Sequence, residues 1–214
     1  MSINEALMGA GVQTETRSRQ GMYRLLAHLY REEIDLELLQ RFEQDGTLEA
    51  LQAVGLDLAI PEDSSAWLER LAVEYTRLFI GPGWHVSPHE SVHAPTGDRL
   101  LNNERTAMVR RFIRAAGFDF EPSCTAYPDH ISTEFEFMEA LIGHQLASDA
   151  EGDSSESSTS VMLQKEFVLR HLSSWLPVFC DCLLEQAELP LYASLSRITK
   201  QFMEMEMEYL ECSQ

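Results

Sequence analysis

Apolar side chains recur every three or four residues along almost the whole chain, and this spacing leaves little room for anything but helices. Met22, Leu25, Leu26, Leu29 and Tyr30 form one stripe, and Leu68, Leu71, Tyr75, Leu78 and Phe79 form another. Met108, Phe112 and Ile113 continue the pattern, as do Ile131, Phe135, Met138 and Ile142. The last stripe, Leu191, Leu195, Ile198, Phe202, Met205 and Tyr209, alternates steps of four and three. Such spacing places each set on one face of a 3.6-residue helix, where burial holds it. No sustained two-residue alternation between turn signals marks a sheet. The sequence predicts an all-α chain.

Three segments interrupt the pattern. Gly81-Pro82-Gly83 through Thr96-Gly97 is too rich in helix breakers to be a helix, yet it holds Trp84 and three histidines. Gly117 to Pro128, with Phe118, Phe120, Pro122, Cys124 and Tyr127, reads as an extended connector. It divides a helical lobe at 1–116 from a second at 129–214, two lobes of one helical-bundle fold. Ser148 to Ser160 carries four acids, no base and no large apolar residue, which predicts a mobile surface loop. No repeat occurs at the 20–50-residue scale.

Charge narrows the function. The 214 residues carry 16 Lys+Arg and 35 Asp+Glu, a formal charge of −19. Through Arg114 there are 12 bases against 17 acids, and beyond it 4 against 18. A chain so acidic repels phosphate backbones, so nucleic acid is not an expected partner. The same field favours solubility and draws in basic peptides. No apolar run approaches the roughly 18–20 residues of a bilayer crossing, so no membrane span is expected. The opening MSINEALMGAGVQTETRSRQ lacks the basic start of a secretion signal. Cys124, Cys180, Cys182 and Cys212 are too few for a disulfide scaffold, and reduced thiols in the cytoplasm are expected. Cys180 and Cys182 would point about 200° apart on a helix, away from a shared ion.

Few residues offer chemistry. His85, His89 and His93 lie four apart with Glu90 among them, and a helix would stack them on one face as zinc requires. Pro88 and the upstream glycines oppose that helix. A metal-dependent hydrolase using this loop and Asp129 is the enzymatic alternative. Asp129 precedes the helix starting at Ile131 and fits its N-cap, with a ligand role in addition, while Asp129-His130 could also form an acid/base pair. No nucleophile elbow, phosphate loop or dinucleotide fingerprint is present. A third reading is a helical adaptor that assembles through the Leu191–Tyr209 stripe, against which internal packing competes.

Tyr75-x-x-Leu78-Phe79-x-Gly81-Pro82, then Ser87-Pro88-x-x-Ser91-Val92, then Pro128-Asp129-His130 before an amphipathic helix stand in order. His171-Leu172 and Trp175-Leu176-Pro177 follow. Over roughly residues 20–210 this set resembles the TorD/DmsD family of molybdoenzyme maturation chaperones. Gly83 departs from relatives that carry an aromatic residue after Gly-Pro, and Ala126-Tyr127 replace an acidic residue before the Asp-His pair.

The resemblance implies a TorD-like all-α fold and a cytoplasmic chaperone that is not an enzyme and carries no cofactor or metal of its own. Its implied partner is the twin-arginine signal peptide, or the apo form, of a molybdopterin-containing oxidoreductase precursor during anaerobic respiration. Cofactor insertion would be assisted and premature export prevented. Carried over by motif, Tyr75, Leu78, Phe79, Asp129 and His130 would form the peptide groove, and Gly81, Pro82, Ser87, Pro88, Ser91 and His93 its adjoining loop. An apolar groove in acidic surroundings suits a peptide with two arginines before an apolar segment. His130, titrating near neutral pH, would tune the affinity. The connector is long enough for a domain-swapped homodimer as well as a monomer.

Overall fold

A computed structural model describes residues 3–44, 46–58, 60–61, 64–81, 83, 85–95, 98–119 and 127–212, with side chains from Gln13 on. Among the described residues ten α-helices follow one another: α1 (Ile3–Arg31), α2 (Leu36–Gln44), α3 (Thr47–Ala53), α4 (Ser64–Tyr75), α5 (Glu90–His93), α6 (Glu104–Ala115), α7 (Ile131–Glu151), α8 (Ser154–Phe167), α9 (Ser173–Gln186) and α10 (Pro190–Cys212). Among the described residues there is no strand, only an isolated antiparallel bridge between His89 and His130. Most of the expected connector, residues 120–126, lies outside the described residues.

The stripes read from the sequence pack as helices should. α1 and α8 both pack along α7, and α10 packs on α9. Tyr23 meets Phe135 and Phe202 edge-on, and Tyr30 meets Phe79, Phe135 and Phe179. Edge-to-face rings use the quadrupole as well as the buried area. Their hydroxyls are satisfied inside the core: Tyr23 donates to Glu206 at 3.0 Å, and Tyr30 pairs with Thr199 at 2.9 Å. These rings join segments from both sides of the connector in one apolar cluster.

Two helices continue through a π-helical turn. Thr76–Ile80 extends α4, and Val168–Leu172 joins α8 to α9. The second makes Ser154–Gln186 one rod, long and apolar enough by length and composition to cross a membrane. That departs from the expectation of no such segment. About half of its most apolar window is buried in the protein, and Phe167, Leu172, Trp175, Phe179 and Leu183 are all core residues.

The acidic, serine-rich stretch 148–160 is helical rather than a loop. Gly152 closes α7 in the left-handed conformation at φ 76°. Asp153 then opens α8, its carboxylate accepting from the Ser155 and Glu156 N–H groups at 3.1 Å. Ser158 and Thr159 bond back to the carbonyls of Ser154 and Ser155. A polar helix needs caps and local bonds rather than an apolar face, so composition misread it.

A loop cavity resting on buried carboxyl groups

The π turn at the end of α4 sets the site. Gly81 N–H reaches back to the Thr76 carbonyl at 2.6 Å and closes the turn. A Cβ at Gly81 would stand 3.2 Å from that same oxygen, which is why glycine occupies the position. The loop then folds back, and Val86 N–H donates to the Leu78 carbonyl at 2.7 Å. Below it, Glu74 accepts from the Glu188 and Leu189 N–H groups at 2.6 and 3.0 Å, tying the α9–α10 joint to α4. Arg77 donates to the Gln186 carbonyl at 2.7 Å and pairs with Glu74 at 3.3 Å.

A cavity of about 390 Å³ opens between the turn, the loop and the end of α9. Leu78, Val86 and Val92 give it an apolar floor, and Ser87, His93 and Cys182 border them. Arg77, Arg99 and Glu185 stand at its edge. Burial pushes the Cys182 thiol up, helped by Glu185 and Asp181, so it stays protonated.

The loop histidines are structural neighbours rather than a ligand set. His93 Nε2–H donates to the Ser87 carbonyl at 2.7 Å, and the ring stacks on Trp175. His89 Nδ1 lies 3.0 Å from Ser87 Oγ, and His85 Nδ1 lies 3.2 Å from the Gly83 carbonyl. Among the described residues no three His, Cys, Asp or Glu side chains converge as a metal site would need. Burial lowers both the His89 and His93 pKa and keeps the rings neutral.

The loop is stitched to the start of α7. Ile131 N–H donates to the Pro88 carbonyl at 2.9 Å, and Glu90 N–H to the Asp129 carbonyl at 3.0 Å. Asp129 does not cap α7 as the sequence suggested. His130, extended at φ −74° and ψ 137°, takes that place, and its Nδ1 accepts from Ser132 N–H at 3.2 Å. Asp129 instead caps α5 from across the chain, its Oδ2 accepting from Ser91 N–H at 3.0 Å. His130 also departs from the expected titration near neutrality: burial, then the nearby His89 and Arg31, push it down to about 3.

Beneath this seam three carboxyl groups, Glu90, Asp129 and Glu134, are wholly buried. Glu90 lies 2.9 Å from His171 Nδ1 and 3.4 Å from Arg105. Glu134 accepts from the Trp175 indole N–H at 3.1 Å. Burial, then the charges of Glu90 and Asp129, raise the Glu134 pKa far above the carboxylate range, so Glu134 holds its proton.

The residues named from sequence therefore divide. Leu78, Ser87 and His93 line the cavity. Tyr75 and Phe79 lie behind it: Tyr75 donates to the Tyr30 carbonyl at 3.1 Å, and Phe79 packs on Tyr30, Tyr75 and Tyr192. Gly81 shapes the turn, Pro88, Ser91, Asp129 and His130 anchor the loop, and Pro82 lies outside the described residues. Glu134 and Arg105 were not anticipated. Glu134 could have been, because it shares the apolar face of α7 with Met138 and Leu141, and an acid there must be paired or protonated. The adaptor stripe is spent internally as far as Phe202, since Leu191, Leu195, Ile198 and Phe202 are core residues, whereas Met205 further on is exposed.

Residues 25–181 match the family model described as the nitrate reductase delta subunit. Chaperone protein TorD of Vibrio cholerae serotype O1 (strain M66-2) is 25% identical over 142 residues, 66% of this chain and 62% of that protein. TorD of Vibrio vulnificus (strain YJ016) is 21% identical over 213 residues, covering 93% and 97%. The chain thus spans about three-fifths of the first of these relatives. A crystal structure of an Archaeoglobus fulgidus protein named as a redox enzyme maturation protein covers 90% of this chain and 93% of its own, at TM-score 0.50 and 20% identity. That likeness establishes the all-α fold.

Proposed function

Because this chain belongs to the nitrate reductase delta subunit family, in which the TorD chaperones fall, we propose that it is a maturation chaperone that holds a twin-arginine signal peptide. Its client is the precursor of a molybdopterin-containing oxidoreductase, held in the cytoplasm while the cofactor is inserted. The observation that carries this reading is the cavity between the π turn and the 85–93 loop, where Leu78, Ser87 and His93 meet.

The chemistry assigns each part of the peptide a place. The apolar stretch enters over Leu78, Val86 and Val92. Arg99 at the edge repels the arginine pair, which extends instead toward the exposed Glu185, while Arg77 is already paired with Glu74 and, at 3.8 Å, with Glu188. Tyr75, Phe79, Ser91, Asp129 and His130 hold the walls rather than touch the peptide. In this reading the 117–128 connector joins the 1–116 and 129–214 lobes and is long enough for two copies to exchange them. No catalytic step is assigned.

Titration calorimetry with a synthetic twin-arginine signal peptide tests the reading. Saturable binding that weakens as salt rises, and that Val92→Asp weakens at least ten-fold, is expected. A folded Val92→Asp protein with unchanged affinity would remove the cavity from the account. Capture of a molybdoenzyme precursor from anaerobic cells identifies the client.

A further inference from the structure

A second surface lies between the middle of α1 and the end of α10. A groove of about 660 Å³ runs there, floored by Met22, Phe202, Met205 and Tyr209 and edged by Glu15 and Glu208. Met205 is 64% exposed although it continues the stripe that buries Leu195, Ile198 and Phe202. The floor is stiffened beneath by Arg19, which donates to Glu206 at 2.6 Å and to Gln164 at 2.9 Å and lies 4.0 Å over the Tyr209 ring. Glu206 consumes the guanidinium's charge, so Arg19 adds no net positive potential to the groove.

Beyond Lys200 the chain carries Glu204, Glu206, Glu208 and Glu211 and no base. An apolar slot with thioethers and an acidic edge matches one chemistry well: apolar side chains along one face and lysines or arginines on the flanks. Thioethers adapt to varied apolar shapes, which suits recognition by pattern rather than by fixed sequence. The walls run from Glu15 to Met22 and from Phe202 to Cys212, about 10–15 Å at 1.5 Å per residue. That length holds two to three turns of a partner helix, with anchors at i, i+4 and i+7.

We infer that the α1–α10 groove docks a basic amphipathic helix of a partner protein, at a surface separate from the loop cavity. The inference goes beyond the signal-peptide reading and does not depend on it.

Methyl-labelled methionine gives the test. A 14-residue Leu/Lys amphipathic peptide, added to the full chain, shifts the Met22 and Met205 methyl signals saturably. Met108 and Met162, exposed elsewhere, stay in place. A scrambled peptide of the same composition binds at least ten-fold more weakly. Glu208→Lys costs at least ten-fold at low salt while circular dichroism is unchanged. Equal binding of the scrambled peptide, equal movement of Met108 and Met162, or indifference to Glu208→Lys overturns the inference. Loss of the Met22 and Met205 shifts in Val92→Asp would mean the peptide reads the loop cavity, sinking this inference and leaving the functional one standing. Concentration-dependent shifts without peptide would assign the groove to a second copy and also overturn it.

Discussion

His171 Nδ1 lies 2.9 Å from Glu90 Oε2, a bond between residues 81 apart in sequence and buried on both sides. It fastens the short helix of the cavity loop to the π turn of the long rod, and Arg105 at 3.4 Å completes the acid's surroundings. The cavity loop is therefore held from beneath by this buried polar seam.

Glu134→Gln keeps the shape of a protonated acid and removes its titration. A carboxyl whose folded pKa is raised stabilises fully below its unfolded value near 4.5, and that stability is lost as pH rises toward the folded value. The variant should therefore gain on the natural protein with rising pH above 4.5, by up to ~1.4 kcal/mol per pH unit. Urea midpoints at pH 5, 6, 7 and 8 read the difference, and a constant gap would show that Glu134 is ionised when folded.

His130→Asn probes the opposite sign. A histidine held down to about 3 binds its proton in the unfolded chain first, so stability falls as pH drops below 6.5. Asparagine keeps the N-cap and lacks that dependence. Between pH 6.5 and 4 the natural protein should lose ~1.4 kcal/mol per pH unit relative to the variant. Ring carbon shifts of His130 that titrate near pH 6.5 would contradict this.

Phe79→Ala and Val92→Asp should separate core from groove. Phe79 fills space among three tyrosine rings, so its loss costs roughly 3–5 kcal/mol and weakens every function with the fold. Val92 is half-buried at the cavity, and its replacement should cost about 1 kcal/mol while weakening peptide binding at least ten-fold. Chemical unfolding alongside calorimetry distinguishes the two.

Cys182 offers a direct probe of occupancy. In a Cys124→Ser, Cys180→Ser, Cys212→Ser protein it is the single thiol, half-buried at the cavity. Maleimide should label it slowly, because the raised pKa leaves little thiolate. Bound signal peptide should slow it at least five-fold further, and an unchanged rate would place the peptide elsewhere.

Gly81→Ala should destabilise by roughly 1–3 kcal/mol through its 3.2 Å approach to the Thr76 carbonyl. Thermal unfolding measures it, and a neutral result would mean that the turn relaxes.

Periodicity made the helices legible because burial of one face is what selects them, from Tyr23 and Tyr30 to Leu191 and Phe202. It failed at 148–160, where capping by Asp153 acts through backbone N–H groups and leaves no apolar signature. The order of loop motifs pointed to Leu78, Ser87 and His93, which do line one cavity. Asp129 does not cap α7, because His130 holds the N-cap position and the Asp129 carboxylate accepts from Ser91 N–H 38 residues away, a contact no local pattern encodes.

The wide turn at Val168–Leu172 has a consequence for the whole rod. Phe167, His171, Trp175, Phe179 and Leu183 are spaced by four and all buried. In an ideal helix such a row winds about 40° further around the axis at each step. The wide turn falls within the first step, from Phe167 to His171, and offsets the drift of that step, setting the phase from which Trp175, Phe179 and Leu183 continue. Excising one residue there would rotate everything downstream by about 100° and present tryptophan and phenylalanine to water.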